Sequence, residues 1–151
     1  MRFLVQRVKQ AEVKVDGEVT GSIGHGFLVL VGIRDDDTKD IADKMVDKLI
    51  KLRIFRDEND KANLSLKDVD GDLLVISQFT LYADMSHGNR PSFIRAGGPD
   101  MAEELYEYVL SKIASYGFDP KHGIFGADMK VSLLNEGPFT VMMDSDEIVK
   151  K

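Results

Sequence analysis

Apolar and polar residues alternate near the start of the chain, a period of two that is typical of β-strands. The pattern predicts strands over residues 1–8 and 11–16. Asp16 and Gly17 close the second of these, and a two-residue hairpin turn needs the positive φ that glycine tolerates. We therefore expect a β-hairpin whose return strand covers residues 18–22.

Two later stretches are apolar almost without interruption. Residues 26–33 read GFLVLVGI, as expected of a strand that is buried on both faces. Residues 73–81 carry the strongest strand pattern in the chain, whereas residues 57–72 are mostly polar and predict loops with one short strand. Residues 131–134 and 139–143 complete the predicted strands.

Two segments show the three- and four-residue spacing of amphipathic helices. Asp37 or Thr38 is the expected N-cap of the first helix. In the second helix we expect Asp100 as the cap, Glu103 completing a capping box, and Gly117 at the end. The stripes predicted to face the core are Ile41, Met45, Leu49 and Leu52 with Val46 and Ile50 beside them, and Leu105, Val109 and Ile113.

These elements predict an α+β fold, in which two amphipathic helices pack on a mostly antiparallel, barrel-like β-sheet. The chain has no repeat, low-complexity tract or linker, so residues 1–151 are expected to form a single domain. A chain of this length buries roughly 70% of its unfolded surface and needs no cross-links to fold. The highly charged end, residues 144–151, is expected to fray.

The composition narrows the possible functions. The chain contains no cysteine, which excludes disulfide bonds, thiolate metal sites and a cysteine nucleophile. Its net charge of −6 argues against binding along a nucleic-acid backbone, because such binding depends on cations that neutralise phosphates. An acidic protein can still hold the end of an RNA in a specific pocket. The chain shows neither a signal peptide nor an apolar run of ~20 residues, so we expect a cytoplasmic protein.

The sequence offers few of the residues on which hydrolases and metalloenzymes usually depend. His25, His87 and His122 belong to no metal-ligand motif, and each is interpreted as a solvated loop residue. The acidic run at residues 35–37 lacks the spacing of a calcium-binding loop and is interpreted as the start of a helix. We therefore expect neither a metal ion nor a cofactor.

Two segments place polar groups where apolar ones would pack better. One reads Ser-Gln-Phe-Thr within an apolar strand, where Ser77 and Phe79 would face one side and Gln78 and Thr80 the other. A buried amide or hydroxyl is costly unless it is hydrogen-bonded, so these groups need partners in neighbouring strands or in a ligand. The other segment, residues 135–140, has the composition of an ordinary turn between two strands.

Together the two segments resemble the D-aminoacyl-tRNA deacylase family. The family's Ser-Gln-Phe-Thr motif is matched at residues 77–80, and its Asn-x-Gly-Pro-x-Thr motif is matched by Asn135, Gly137, Pro138 and Thr140. The likeness extends along nearly the whole chain, through residues 6–8, 17–18, 53–55, 90–93, 125 and 127–129. Both motifs in this order are specific. Phe139 departs from the pattern, because many relatives carry valine there, and this is expected to affect the shape of the pocket.

The resemblance implies a homodimeric, metal-free esterase that hydrolyses D-aminoacyl-tRNA and rejects L-aminoacyl-tRNA. It implies that Gly137 and Pro138 form a cis pair that reaches into the partner's active site, and that Arg7 helps to hold this loop. Glycine has no side chain to reject, so glycyl-tRNA, including glycine mischarged on tRNA(Ala), is expected to be a substrate.

The resemblance also implies where the remaining site residues lie. The aminoacyl group is expected beside Ser77, Gln78, Phe79 and Thr80, the terminal adenosine beside Phe125 and Met129, and the selecting loop is expected to include Asn135. Side chains are implied to position the substrate, whose own 2′-hydroxyl assists the reaction. Main-chain N–H groups near Phe79 or Thr80 are expected to stabilise the oxyanion.

Two other functions stay open on the sequence. One is a hydrolase of small esters or peptides with Thr80 as a covalent nucleophile, although no histidine or lysine is visibly placed to activate that hydroxyl. The other is a non-catalytic dimeric module that binds RNA or another ligand.

Overall fold

The computed structural model describes residues 1–149 and has the predicted α+β architecture, with three helices packed on a barrel-like mixed sheet. A 3₁₀ turn at Phe79–Tyr82 follows the sixth strand. The strands are β1 (Arg2–Val15), β2 (Glu18–Ile23), β3 (Gly26–Gly32), β4 (Arg53–Arg56), β5 (Ala62–Ser65), β6 (Asp72–Ser77), β7 (Lys121–His122) and β8 (Met129–Asp144), and the helices are α1 (Lys39–Lys51), α2 (Pro99–Ala114) and α3 (Ser145–Ile148).

β1 lies at the centre of the sheet because it pairs with three other strands. Its first half is antiparallel to β3, its second half is antiparallel to β2, and β8 runs antiparallel to it along nearly its whole length. Asp16 and Gly17 have φ values of 50° and 80°, which confirms the predicted hairpin turn. The sequence predicted two strands each for β1 and β8. Each is instead one continuous strand, in which register shifts absorb the residues that interrupt the alternation.

Two pairs of strands are parallel, β3 with β6 and β6 with β7, while the other pairs are antiparallel as predicted. The chain passes from β3 to β6 through α1, β4 and β5, and a connection of this length permits a parallel pair. The expected short strand is β5, and its partner β4 was not predicted. In the β3–β6 pair Val31 is the register partner of Ser77, so the two strands end at the same edge of the sheet.

The two long helices bury their apolar stripes against the sheet. Thr38 caps α1 by accepting a hydrogen bond from the N–H of Ile41 at 3.2 Å. The expected capping box at Asp100 is absent, because α2 begins at Pro99, whose fixed φ suits the first helical position, and Asp100 lies inside the first turn. No helix in residues 1–149 is long and apolar enough to span a bilayer. The buried helical residues include Met45, Val46, Leu49, Ile50, Leu105, Val109 and Ile113.

The end of the chain, which was expected to fray, is packed against the first residue as far as the structure describes it. The N–H of Ser145 donates to the Met1 carbonyl at 2.9 Å, and the Ser145 hydroxyl accepts from the Met1 amino group at 2.8 Å. The same amino group donates to Asp37 at 2.7 Å. These buried contacts account for the structure of residues 144–149, and residues 150–151 lie outside the described part of the chain.

Candidate active site

A cavity of about 270 Å³ lies where β3 and β6 end. It is lined by Ser77 at the end of β6 and by Gln78 and Phe79, which follow that strand. Phe125 and Met129, before and at the start of β8, form another part of the lining. The structure therefore brings together five of the residues that the sequence predicted for a site, from two regions that are distant along the chain.

The Ser-Gln-Phe-Thr segment does not continue β6, as the sequence predicted. The neighbouring strand β3 ends at Gly32, so β6 has no parallel partner beyond Ser77 and ends there. The N–H of Gln78 then donates to the Val31 carbonyl at 2.8 Å, and the 3₁₀ turn begins at Phe79. The predicted alternation of faces is thus wrong beyond Ser77. The turn allows four consecutive residues, 76–79, to line one cavity, whereas successive side chains of an extended strand point to opposite faces.

The 3₁₀ turn leaves main-chain donors free beside the cavity. The N–H groups of Phe79 and Thr80 donate to no other group in residues 1–149, as is usual in the first turn of a helix. Thr80 itself does not line the cavity, and its hydroxyl accepts a hydrogen bond from the Gln78 side-chain amide at 2.5 Å. Adjacent free main-chain N–H groups are donors of the kind that stabilise an oxyanion.

Phe125 and Met129 are held in place by close packing. The ring centroid of Phe125 lies 5.9 Å from that of Tyr106, whose hydroxyl donates to the Val75 carbonyl at 2.7 Å and so ties α2 to β6. The Met129 sulfur lies against Gly123, where a Cβ atom would overlap it. The wall formed by these two residues is therefore fixed by the helix and by the start of β8.

The sequence did not identify the other residues that line the cavity. Most are apolar or small, and their types give no signal of a site. One signal was present, because two strands that are apolar on both faces are typical of parallel neighbours, whose ends meet at one edge of the sheet. The residues that were missed are Val31, Ile33, Ile76, Gly97, Ala102, Gly126, Ala127, Asp128 and Val131.

The cavity presents main-chain and amide groups, rather than charges, to a ligand. Asp128 is its only ionisable lining residue within residues 1–149, and that largely exposed carboxylate pairs with Lys130 at 3.1 Å. His25, His87 and His122 are exposed, and none of them lines the cavity. Across the described chain, no three histidine or acidic side chains are grouped in a way that would hold a metal ion.

The Asn-Glu-Gly-Pro segment forms a fixed loop within β8. The Asn135 amide donates to the carbonyls of Arg7 and Phe139 at 3.0 and 2.9 Å, and its oxygen accepts from the Phe139 N–H at 3.0 Å. Gly137 and Pro138 at the tip are joined by a cis peptide bond, and both are exposed. None of Arg7, Asn135, Gly137 and Pro138 lines the cavity of the same chain.

The buried side chain of Arg7 supports this loop from the interior of the protein. Only 4% of the residue is exposed, and its Nε and Nη1 donate to the carbonyls of Glu136 at 3.0 Å and Ile54 at 2.6 Å. Its guanidinium carbon lies 4.8 Å from the ring centroid of Phe139, the residue that departs from the family pattern. Burial lowers the pKa of Arg7 from its ordinary value. A Cβ atom on Gly137 would lie 2.6 Å from Nη2 of Arg7.

Comparison with known proteins gives one family for nearly the whole chain. The family model described as D-Tyr-tRNA(Tyr) deacylase matches residues 4–144. Proteins named D-aminoacyl-tRNA deacylase from Flavobacterium johnsoniae, Lactobacillus acidophilus and Thermosipho africanus are 55%, 52% and 47% identical to this chain. The matches cover 96%, 95% and 98% of this chain and 97%, 99% and 99% of those proteins.

Two solved structures have the same fold. One is described as a c-Myc DNA unwinding element binding protein; it is 38% identical, has a TM-score of 0.90, and the match covers 95% of this chain and 98% of that one. The other is described as a probable eukaryotic D-amino acid tRNA deacylase; it has a TM-score of 0.84, and the match covers 94% and 97% of the two chains. At 19% identity, the second comparison supports the fold alone.

Proposed function

The chain belongs to the D-Tyr-tRNA(Tyr) deacylase family and hydrolyses the ester bond of D-aminoacyl-tRNA, and we propose that the main chain of Gly137 and Pro138 excludes L substrates. The cavity at residues 77–79 takes the aminoacyl group in this proposal. Aminoacyl-tRNA is a substrate of translation, so the proposal also places the protein in the cytoplasm.

The observation that carries the proposal is that the tip of the loop is exposed and yet fixed on both sides. Asn135 joins the two flanks of the loop by hydrogen bonds to Phe139, and the buried Arg7 donates a hydrogen bond to the Glu136 carbonyl. Gly137 and Pro138 therefore offer a rigid stretch of main chain to a ligand or a partner. A rigid main chain is the feature that selection by handedness requires.

A fixed main chain can separate mirror-image amino acids whatever their side chains. A thousandfold rejection needs about 4 kcal/mol, because each 1.4 kcal/mol changes an equilibrium tenfold. A cavity shaped to side-chain size gives only about 1–3 kcal/mol per methylene, so it cannot reject every L side chain. Main-chain atoms placed where an L side chain begins overlap all L amino acids, whereas a D side chain points elsewhere.

The proposal requires a homodimer, because the loop and the cavity of one chain are separate. The loop of one copy would then stand at the cavity of the other. Within residues 1–149, β8 pairs only with β1, which leaves its second edge free, and β8 exposes the large apolar side chains Leu133, Leu134 and Met142. A two-fold dimer would bury the same surface on both copies.

The chemistry proposed for the cavity is attack of water on the ester carbonyl. The bond between the carbonyl carbon and the ribose oxygen breaks, and the proton released by water passes to that oxygen. The N–H groups of Phe79 and Thr80 stabilise the charge on the carbonyl oxygen, an effect often worth about 3–4 kcal/mol. The 2′-hydroxyl of the substrate carries the proton, and Phe125 and Met129 border the terminal adenosine.

We expect the purified protein to hydrolyse D-tyrosyl-tRNA and glycyl-tRNA, including glycine on tRNA(Ala). It should cleave L-tyrosyl-tRNA at least roughly a thousandfold more slowly than D-tyrosyl-tRNA. Glycine is cleaved because it has no side chain that can overlap the loop. Release of labelled amino acid from each tRNA measures the three rates. If all three esters stay intact, the protein is a binding module, and equal rates for D and L tyrosine would refute the main-chain filter.

Replacing Thr80 with alanine should leave hydrolysis of D-tyrosyl-tRNA within about tenfold of the unmodified protein. The only hydrogen-bond partner of the Thr80 hydroxyl in residues 1–149 is the Gln78 amide, which cannot take up its proton. Ser111→Ala removes an exposed hydroxyl from α2 and is the matched control. Complete loss in the Thr80 variant, together with an acyl-enzyme trapped on the unmodified protein, would instead show that Thr80 is the nucleophile.

A further inference from the structure

The loop that rims the cavity exposes apolar side chains that the hydrolysis does not use. Residues 85–95, here called the rim segment, are all exposed, and they include Met85 at 71% and Ile94 at 84% exposure. Phe93 and the cavity residue Phe79 are also exposed, at 38% and 56%. Large apolar side chains that are exposed together next to a site typically mark a binding surface.

The rim segment adjoins the cavity through Phe93 and through the chain that follows it. Asp84 and Ser92 exchange two main-chain hydrogen bonds, of 2.7 and 2.9 Å, which close the segment into a loop. The rings of Phe79 and Phe93 meet edge to face at 5.1 Å. After the segment, the N–H of Gly97, a cavity residue, donates to the Ile33 carbonyl at 2.8 Å. The segment therefore lies beside the cavity wall at Phe79.

The charge of this region differs from that of the rest of the chain. Residues 73–99 contain one acid, Asp84, and two arginines, Arg90 and Arg95, whereas the whole chain has 26 acids and 20 lysines and arginines. The Asp84 carboxylate already accepts from the N–H of Ser86 at 2.9 Å. Both arginines are exposed, and the region presents cations beside apolar side chains in an otherwise acidic protein.

We propose that the rim segment binds the unpaired nucleotides that precede the terminal adenosine of the substrate tRNA. The proposal rests on the proposed function, because it starts from an adenosine and an aminoacyl group in the cavity. It assigns Arg90 and Arg95 to phosphates, and Phe93 and Ile94 to the faces of the bases.

Single-stranded RNA has the chemistry that this surface matches. Its bases stack on aromatic and apolar side chains, and its phosphates are drawn to arginine, whose plane can also stack on a base. The guanidinium carbon of Arg95 lies 5.9 Å from the ring centroid of the buried Tyr82. Contacts confined to the tip of a tRNA also agree with a chain too acidic to coat a duplex. A second copy of the chain is the competing occupant.

The test measures the hydrolysis of two D-tyrosyl esters, one on whole tRNA and one on adenosine alone. Each ester is given to the unmodified protein and to the variants R90A/R95A and I94S. We expect kcat/KM for the tRNA ester, relative to that for the adenosine ester, to fall about tenfold or more in each variant, chiefly through KM. The slope of log kcat/KM for the tRNA ester against log salt concentration should also become shallower by about 1.4 in R90A/R95A, because two phosphate contacts are lost.

Lys44→Ala/Lys51→Ala is the matched control, since it removes two exposed cations from α1, away from the cavity lining. If kcat/KM for the tRNA ester, relative to that for the adenosine ester, falls as far in this control as in R90A/R95A, the loss is due to net charge and the proposal is wrong. A ratio that stays within twofold in both rim variants also overturns it. Equal losses on both esters, with a changed mass in sedimentation, would assign the segment to a second copy. Intact esters with the unmodified protein would instead refute the proposed function.

Discussion

Replacing Gly137 with alanine should lower kcat/KM for D-aminoacyl-tRNA about a hundredfold and weaken the rejection of L substrates. Gly137 has φ of +129°, a conformation that residues with a side chain rarely adopt, and the added Cβ would lie 2.6 Å from Nη2 of Arg7. Arg7 is buried and is held by two carbonyls, so it has little room to withdraw. The loop must therefore move, and a displacement of about 1 Å is enough for a loss of this size.

The matched control for this prediction is Gly17→Ala. Gly17 also has a positive φ, of +80°, but a Cβ at that position meets nothing within 4 Å, and the residue lies in the hairpin between β1 and β2. Its replacement therefore also places a side chain at positive φ without touching the site, and its turnover should stay close to that of the unmodified protein. Normal turnover of D substrates together with normal rejection of L substrates in the Gly137 variant would refute selection by the main chain of the loop.

The same variant tests whether the loop acts on the partner's cavity. Ala127→Trp should fill the cavity without altering the loop, because Ala127 lines the cavity and the loop does not. If the loop acts in trans, mixing the Gly137 and Ala127 variants under conditions of subunit exchange should restore roughly a quarter of the sites, since half of the dimers are mixed and each has one intact site. No recovery would show that the loop and the cavity act within one chain.

Most elements of the fold follow from the periodicity of the sequence. The stripes of α1 and α2 and the Asp16-Gly17 turn are local patterns, and the structure confirms them. The pairing of β3 with β6 is not local, because an apolar run fits a strand in either orientation. The end of β6 at Ser77 depends on where β3 ends, so no property of the Ser-Gln-Phe-Thr segment alone predicts the 3₁₀ turn.

The candidate site was only partly predictable for the same reason. The motif residues were identified through a family resemblance, and the structure gathers Ser77, Gln78, Phe79, Phe125 and Met129 around one cavity. The remaining wall consists of small or aliphatic residues such as Val31, Gly97 and Ala127, whose types are the same as those of any core. Their place at the site comes from the meeting of strand ends, which is a property of the tertiary fold.

Replacing Arg7 with lysine should loosen the loop while keeping the charge beneath it. A guanidinium donates along two directions to the carbonyls of Glu136 and Ile54, whereas an ammonium on a flexible stem cannot reach both in this geometry. The loss of one charged hydrogen bond costs about 2 kcal/mol, which lowers the Tm of a chain of this length by roughly 4–8 °C. L-tyrosyl-tRNA should then be cleaved faster relative to D-tyrosyl-tRNA.

Arg53→Lys is the matched control, because the exposed Arg53 also donates its Nε to a carbonyl, that of Asn63 at 2.8 Å, but takes no part in the loop. Its Tm should change by less than about 2 °C, since surface substitutions of this kind usually alter the free energy of unfolding by less than ~0.5 kcal/mol. A purely structural role for Arg7 would lower Tm and reduce both turnover rates in proportion. A change in the ratio of D to L turnover would link Arg7 to substrate selection. Such a change arises only if the position of the loop, and not only the stability of the fold, decides which substrate reacts.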